Sequence, residues 1–252
     1  MSDNLKAQAN GASHEEQVRR NIIELGGDQA LHALTLQWLI ASAKHKYSYN
    51  FRWLGRPIIQ YPQDMVALQE IVWDYQPDLI IETGVALGGS LVFYASLLQL
   101  MGGNGIVVGI DIEVRPHNFK AITEHPLSDR IRLIRGSSTD PNTVEEVRRF
   151  AEPRSRILVA LDSNHTHDHV LRELELYSPF VRKDGYLVVL DTIVEDIPKS
   201  LFPDRQWGPG NNPRTAVNAF LSANDRFEID RSIEHKLLIT VAPGGYLRCV
   251  KD

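Results

Sequence analysis

The string Glu82-Thr83-Gly84, followed by Gly88-Gly89-Ser90, is a glycine-rich turn headed by a carboxylate. It is not the G-x-G-x-x-G of a dinucleotide loop, which brings a helix N-terminus onto a pyrophosphate. A carboxylate two residues before the first glycine would repel phosphate and attract an ammonium group. Gly84 and Gly88 let the backbone approach a ligand closely. Asp111, at the end of the next apolar run, is suited to accept hydrogen bonds from ribose hydroxyls. An ammonium-seeking loop beside a ribose-seeking acid fits S-adenosylmethionine better than NAD. The alternative is a glycine turn that holds no ligand.

A second constellation is Asp162 with Asp191. Each closes an apolar run. If the two runs are adjacent strands about 4.8 Å apart, the carboxylates could share a cation. Few hard oxygen donors suit Mg²⁺, which keeps several waters. The alternative is that each acid caps the element after it. His165 lies three residues after Asp162, and a histidine near a metal-bound hydroxyl can act as general base at neutral pH. His167 and His169 alternate with it, but they fall in a turn and a first helical turn and read as surface or capping residues. No His-x-Asp or His-x-Glu pair occurs among the three, which argues against a non-haem iron triad.

Two aromatic stretches complete the candidates. The loop Asp204–Pro213 carries Trp207, which either stacks on a sugar ring or tucks into the core. Tyr47, Tyr49, Phe51, Trp53 and Tyr61, with Arg52 and Arg56, either pack an extension against the domain or line a substrate pocket.

Positioning these groups requires alternating strands and helices. Apolar runs at 78–82, 106–110, 131–134, 157–161 and 186–190 read as strands. Helical patterns lie between them, at 90–101, 118–124, 142–150 and 167–181, and a further helix at 214–223. Such alternation means βαβ units, an α/β fold with a mostly parallel sheet. Ligands then bind outside the carboxyl ends of the strands, the rim to which Glu82, Asp111, Ser137, Ser138, Asp162 and Asp191 are all delivered. Runs at 227–230, 236–241 and 246–250 read as late strands, with Pro243-Gly244-Gly245 as a hairpin turn. The sheet is therefore expected to finish antiparallel. Upstream, helices are expected at 14–25 and 28–43, and a third from Asp64, as N-cap, to Tyr75. The expected organisation is a disordered tail (1–13), a helical and aromatic extension (14–60) and an α/β domain (61–252).

Composition sets the outer limits. A hydrophobic fraction of 43% and a charged fraction of 23% describe an ordinary globular chain. The one cysteine, Cys249, excludes an internal disulfide framework or a Cys-rich zinc site. A net charge of −5 argues against nucleic acid as the partner. No apolar run approaches the ~18 residues of a spanning helix. Met1–Arg20 is polar, so no secretory signal is expected and the cytoplasm is the default compartment.

The strings Trp53–Asp64, Ile81–Gly84 with Gly88-Gly89-Ser90, and Trp207–Pro213 resemble the cephalosporin hydroxylase family over roughly residues 45–250. The resemblance implies a Rossmann-like class I methyltransferase sheet, S-adenosylmethionine and Mg²⁺ as cofactors, and methylation of a hydroxyl on a sugar, glycan or glycosylated natural product. It implies cofactor contacts at Glu82, Thr83, Gly84, Gly88, Ser90, Asp111, Ser138 (near the adenine) and Asp162. It gives His165 the role of base. It puts the metal on Asp162 and Asp191. Related sugar methyltransferases carry Glu-Asp where this chain has Leu190-Asp191, so the third ligand position passes to Thr192, with Glu195, Asp196 or water as alternatives. The competing readings are a hydroxylase, as the family name suggests, and a non-catalytic accessory protein that keeps the cofactor site. A homo-oligomer is expected from the aromatic extension.

Overall fold

The computed structural model describes residues 13–252. The expected disordered tail lies outside the described residues except for Ser13. That residue caps helix α1 (His14–Gly27) in a reciprocal box with Glu16. Asp28 then caps α2 (Gln29–Ala43). A short hairpin follows, β1 (Phe51–Trp53) with β2 (Arg56–Ile58). Helix α3 (Pro62–Tyr75) starts with proline at its first turn, where a missing N–H costs nothing.

The domain proper runs β3 (Leu79–Thr83), α4 (Gly89–Met101), β4 (Ile106–Asp111), α5 (Pro116–Thr123), β5 (Ile131–Arg135), α6 (Pro141–Ala151), β6 (Ile157–Leu161), α7 (His167–Tyr177), β7 (Tyr186–Val189), α8 (Pro213–Ala223), β8 (Phe227–Ile229), α9 (Arg231–Leu237) and β9 (Tyr246–Cys249). The seven strands lie in the order β5-β4-β3-β6-β7-β9-β8. β9 pairs antiparallel with both neighbours, and the pairs from β5 to β7 are parallel.

Both faces of the sheet are covered, so the strands are apolar at successive positions. Ile80, Val107, Leu158 and Val188 face α3 and α4. Leu79, Ile81, Val108, Val159 and Val189 face α6, α7 and α8. The chain builds outward from β3 through β4 to β5, then crosses back to lay β6 on the other side of β3. That reversal opens a crevice at the carboxyl ends of β3 and β6.

Three expectations are corrected by the structure. Asp64 does not cap α3. It lies inside the first turn, fully buried, and accepts hydrogen bonds from Thr240 Oγ1, Val241 N and Tyr246 Oη. The 236–241 run is not a strand, and Pro243–Gly245 does not join two hairpin strands. Residues 231–237 are helical, started by an Asp230 cap. Backbone groups of Val241 are taken by Asp64 and by Ile193 N, which leaves no ladder for a strand. No helix among the described residues is long and apolar enough to cross a membrane.

Candidate active site

The crevice opens into a cavity of about 880 Å³ lined by the 84–90 loop, Asp162–His165, Asp191, Trp207 and the extension's Tyr47, Tyr49 and Tyr61. Its floor is set by strand register. Thr83 pairs with Leu161, and Thr83 O accepts from Asp162 N at 2.9 Å, so the chain leaves β3 and β6 side by side. At Gly84 (φ +90°) a Cβ would overlap the Asp162 carbonyl oxygen. Only glycine permits both that backbone and that approach.

Glu82 is 1% exposed and accepts from Ser90 Oγ at 2.8 Å through Oε2, while Oε1 has no partner. Burial pushes its carboxyl up to about 8, partly opposed by the Ser90 bond. An unsatisfied oxygen on a buried acid is costly. It is the vacancy an ammonium group would fill, so this donor set fits S-adenosylmethionine. Ser90 lies on the first turn of α4 and Gly88 is its left-handed N-cap.

Asp111 ends β4 as expected, but its carboxylate is already engaged. Oδ2 accepts from Val85 N (2.9 Å) and Ala86 N (3.2 Å), and Oδ1 accepts from Glu113 N (2.9 Å). Of roughly four acceptor positions on a carboxylate, about one is left for a ribose hydroxyl.

Asp162, His165 and Asp191 bring one ligand atom each within 4.8 Å of one another. His165 Nε2 lies 3.1 Å from Asp191 Oδ2. Asp191 adopts a left-handed backbone (φ +55°), a region that Asp tolerates better than most residues. Burial, then the neighbouring Asp191, Glu82 and Glu173, push the Asp162 carboxyl well above its ordinary range. Acids gathered this closely ask for a cation. The two carboxylates, partly exposed, leave positions for water and an acceptor oxygen, so these oxygen donors fit Mg²⁺, with the His165 imidazole beside them.

The residue that joins the two acids is His165, while Thr192, expected as a third ligand, engages its hydroxyl elsewhere. Thr192 is fully buried and its hydroxyl donates to Pro243 O at 2.8 Å. Glu195 and Asp196 are engaged elsewhere. Glu195 accepts from Gly210 N and Asn212 Nδ2, and Asp196 holds Arg214 at 2.6 Å. Leu190 is buried in the core. Thr83 is fully buried, and because side chains alternate across a strand it faces the opposite side of β3 from Glu82.

Ser138 is buried, and its hydroxyl lies 3.1 Å from His169 Nε2. The same nitrogen is 3.0 Å from Ser163 Oγ, which donates to the fully buried Glu173 at 2.7 Å. His169 and Glu173 were missed by reading along the chain. Glu173 sits four residues after His169 among the apolar Val170, Leu174 and Tyr177. An acid on that stripe was the available signal. His167 turns away to Thr215, at 2.8 Å. Trp207 packs edge-on against His165, with centroids 5.4 Å apart, and also contacts Phe202. Tyr47 and Tyr61 line the cavity and pack edge-on against Trp38, and Tyr47 also against Phe51.

With this geometry in view, a family model described as Rhamnosyl O-methyltransferase/CmcI matches residues 45–250. The chain belongs to that family. The rhamnosyl O-methyltransferase of Mycobacterium tuberculosis is 32% identical over 217 residues, covering 82% of this chain and 84% of its own. That of Mycobacterium leprae is 32% identical over 216 residues, covering 82% and 90%. Among solved structures, apo CmcI superposes with a TM-score of 0.57 at 19% identity over 81% of this chain and 78% of its own. CmcI with Mg and SAM gives 0.55 at 19% over 80% and 77%. At these identities the structures establish the fold, the class I methyltransferase sheet. Family membership makes the chain an S-adenosylmethionine-dependent O-methyltransferase, and it turns the choice away from a hydroxylase.

Proposed function

We propose that this protein transfers the methyl group of S-adenosylmethionine to a hydroxyl of a sugar, glycan or glycosylated natural product, with Mg²⁺ on Asp162 and Asp191. The observation that carries this reading is the Asp162–His165–Asp191 cluster opening into the same cavity as the Gly84–Ser90 loop that follows Glu82. Its relatives named rhamnosyl O-methyltransferase support a sugar as the acceptor.

When bound, S-adenosylmethionine supplies an electrophilic methyl on sulfur, and Mg²⁺ supplies charge that lowers the pKa of an acceptor hydroxyl. Glu82, assisted by Ser90, takes the amino end of the cofactor. Asp111 offers its remaining acceptor position to a ribose hydroxyl. His165 accepts the acceptor's proton, and the Asp191 carboxylate 3.1 Å from Nε2 stabilises the resulting imidazolium. With its proton on His165, the acceptor oxygen would be the nucleophile towards the methyl group that the cofactor would supply, whose sulfur would keep the bonding pair. Trp207, held between His165 and Phe202, presents an aromatic face on the acceptor side of the cavity.

The test is calorimetric titration of S-adenosylmethionine into metal-free protein, repeated with Mg²⁺, then a methyl-transfer screen over glycosylated acceptors. Binding followed by Mg²⁺-dependent transfer is expected, and chelation by EDTA abolishes turnover while cofactor binding persists. Binding without transfer to any acceptor would instead favour the accessory-protein reading. A homo-oligomer belongs to the same proposal. Ile23 and Leu34 are 71% and 61% exposed on α1 and α2, and sedimentation equilibrium would decide it.

A further inference from the structure

The loop between β3 and α4 is held in an unfavourable backbone. Beyond its glycines, Ala86 adopts φ +44°. A side chain in that region costs about 1–3 kcal/mol and persists only where the surroundings over-determine it. Two of the restraints come from the α/β domain. Asp111 takes the N–H groups of Val85 and Ala86, and Asn118 on α5 donates to Ala86 O at 3.0 Å.

The third restraint comes from the N-terminal hairpin. Arg56 on β2 donates through Nη2 to Leu87 O and, at 3.1 Å, to Asn118 Oδ1. It holds one loop carbonyl directly and orients the side chain that holds the preceding one. Arg56 is partly buried and forms no ion pair among the described residues, and its charge is spent on these neutral oxygens. The hairpin that carries it is itself fixed. Trp53 Nε1 donates to Ser96 Oγ on α4 at 3.0 Å. His125, just past α5, lies with Nε2 3.0 Å from Leu54 O. A Cβ at Gly89 would overlap Pro57 O, so the first turn of α4 lies directly against β2.

We propose that Arg56 is a positioning residue for the S-adenosylmethionine loop, so that the N-terminal hairpin is part of the cofactor site. The proposal rests on assigning that loop to S-adenosylmethionine. Without Arg56, Leu87 O loses its donor and Asn118 is free to turn. The loop then spends less time in the binding conformation, and affinity falls by that fraction.

The experiment is S-adenosylmethionine titration into folded wild type, Arg56→Met, Arg56→Lys, Asn118→Ala and Arg52→Met at 10 °C. Arg52 is the control, because its guanidinium bonds only Gly55 O within its own hairpin. The expected result is a Kd raised ten-fold or more in Arg56→Met and raised in Asn118→Ala. Part of the affinity returns in Arg56→Lys, and Arg52→Met matches wild type. Amide exchange at residues 85–88 accelerates in Arg56→Met. Wild-type affinity in folded Arg56→Met overturns the proposal. So do equal losses in Arg52→Met and Arg56→Met, which would assign the effect to the hairpin as a whole. If Arg56→Met does not fold, wild-type Kd in both Arg56→Lys and Asn118→Ala overturns it. Folded wild type that binds no S-adenosylmethionine removes the cofactor reading and this proposal together.

Discussion

Burial raises the Glu82 carboxyl from the ordinary 4.5 to about 8, and this has a consequence for cofactor binding. An ammonium group binds the ionised form. On the role proposed for Glu82, cofactor binding releases a proton at pH values below the α-amino pKa of about 7.7–8.0, and affinity there rises with pH by up to about ten-fold per unit. Calorimetry from about pH 6 to about pH 7.5, in buffers of different ionisation enthalpy, reads both the affinity and the proton; a pH-independent Kd would sink the role of Glu82. His165 is separable from binding. His165→Ala is expected to keep the S-adenosylmethionine Kd within about three-fold and lose about 10²–10⁴ in turnover. Unchanged turnover would remove its role as base. Both residues are singled out in the sequence by their type and spacing. His165's place beside Asp191 is not legible there, since the two lie 26 positions apart and only the β6–β7 pairing brings them together.

At the scale of elements, the site is the junction of β3 and β6. The Gly84 turn packs on the backbone that carries Asp162, so the glycine loop and the Asp162 loop are one mechanical unit. Gly84→Ala adds a strained φ and an overlap with the Asp162 carbonyl, together about 2–5 kcal/mol. Urea denaturation should show that loss, and the surviving folded fraction should bind Mg²⁺ more weakly. A variant as stable as wild type would mean the turn can relax without moving Asp162. Strands β3 to β7 were readable because their apolar runs lie between turn residues. The 236–241 run misled for the same reason. It is as apolar and β-branched as a strand, and what denies it a ladder is Asp64, which lies some 170 residues earlier.

Asp64 acts on the whole molecule, tying α3 to the segment before β9. Burial raises its carboxyl from 3.8 to about 6, against the pull of three hydrogen bonds. The sign follows from proton uptake. The folded state binds the proton more tightly, so this contribution is fully present below pH 3.8 and is lost as pH rises through about 6. Over that window it amounts to roughly 3 kcal/mol. Asp64→Asn cannot titrate and leaves the Val241 N–H facing a second donor, so it is less stable than wild type at pH 4. The gap between the two should narrow towards pH 7. Thermal midpoints of both proteins across that range measure it, and a constant gap would show that Asp64 does not change protonation there.

The sequence by itself determined the alternation of strands and helices, the rim of acids that ends the strands, and the family strings that tie the chain to O-methyl transfer. These are local properties, fixed by side-chain period and turn chemistry. Only the tertiary structure decided which of those acids face one another. It put His165 beside Asp162 and Asp191, engaged the Thr192 hydroxyl with Pro243, engaged Asp111 with the glycine loop and brought Arg56 onto that loop from the N-terminal hairpin. Each of these depends on contacts between residues far apart in the chain, and such contacts follow from strand order and packing, which neither spacing nor composition encodes locally.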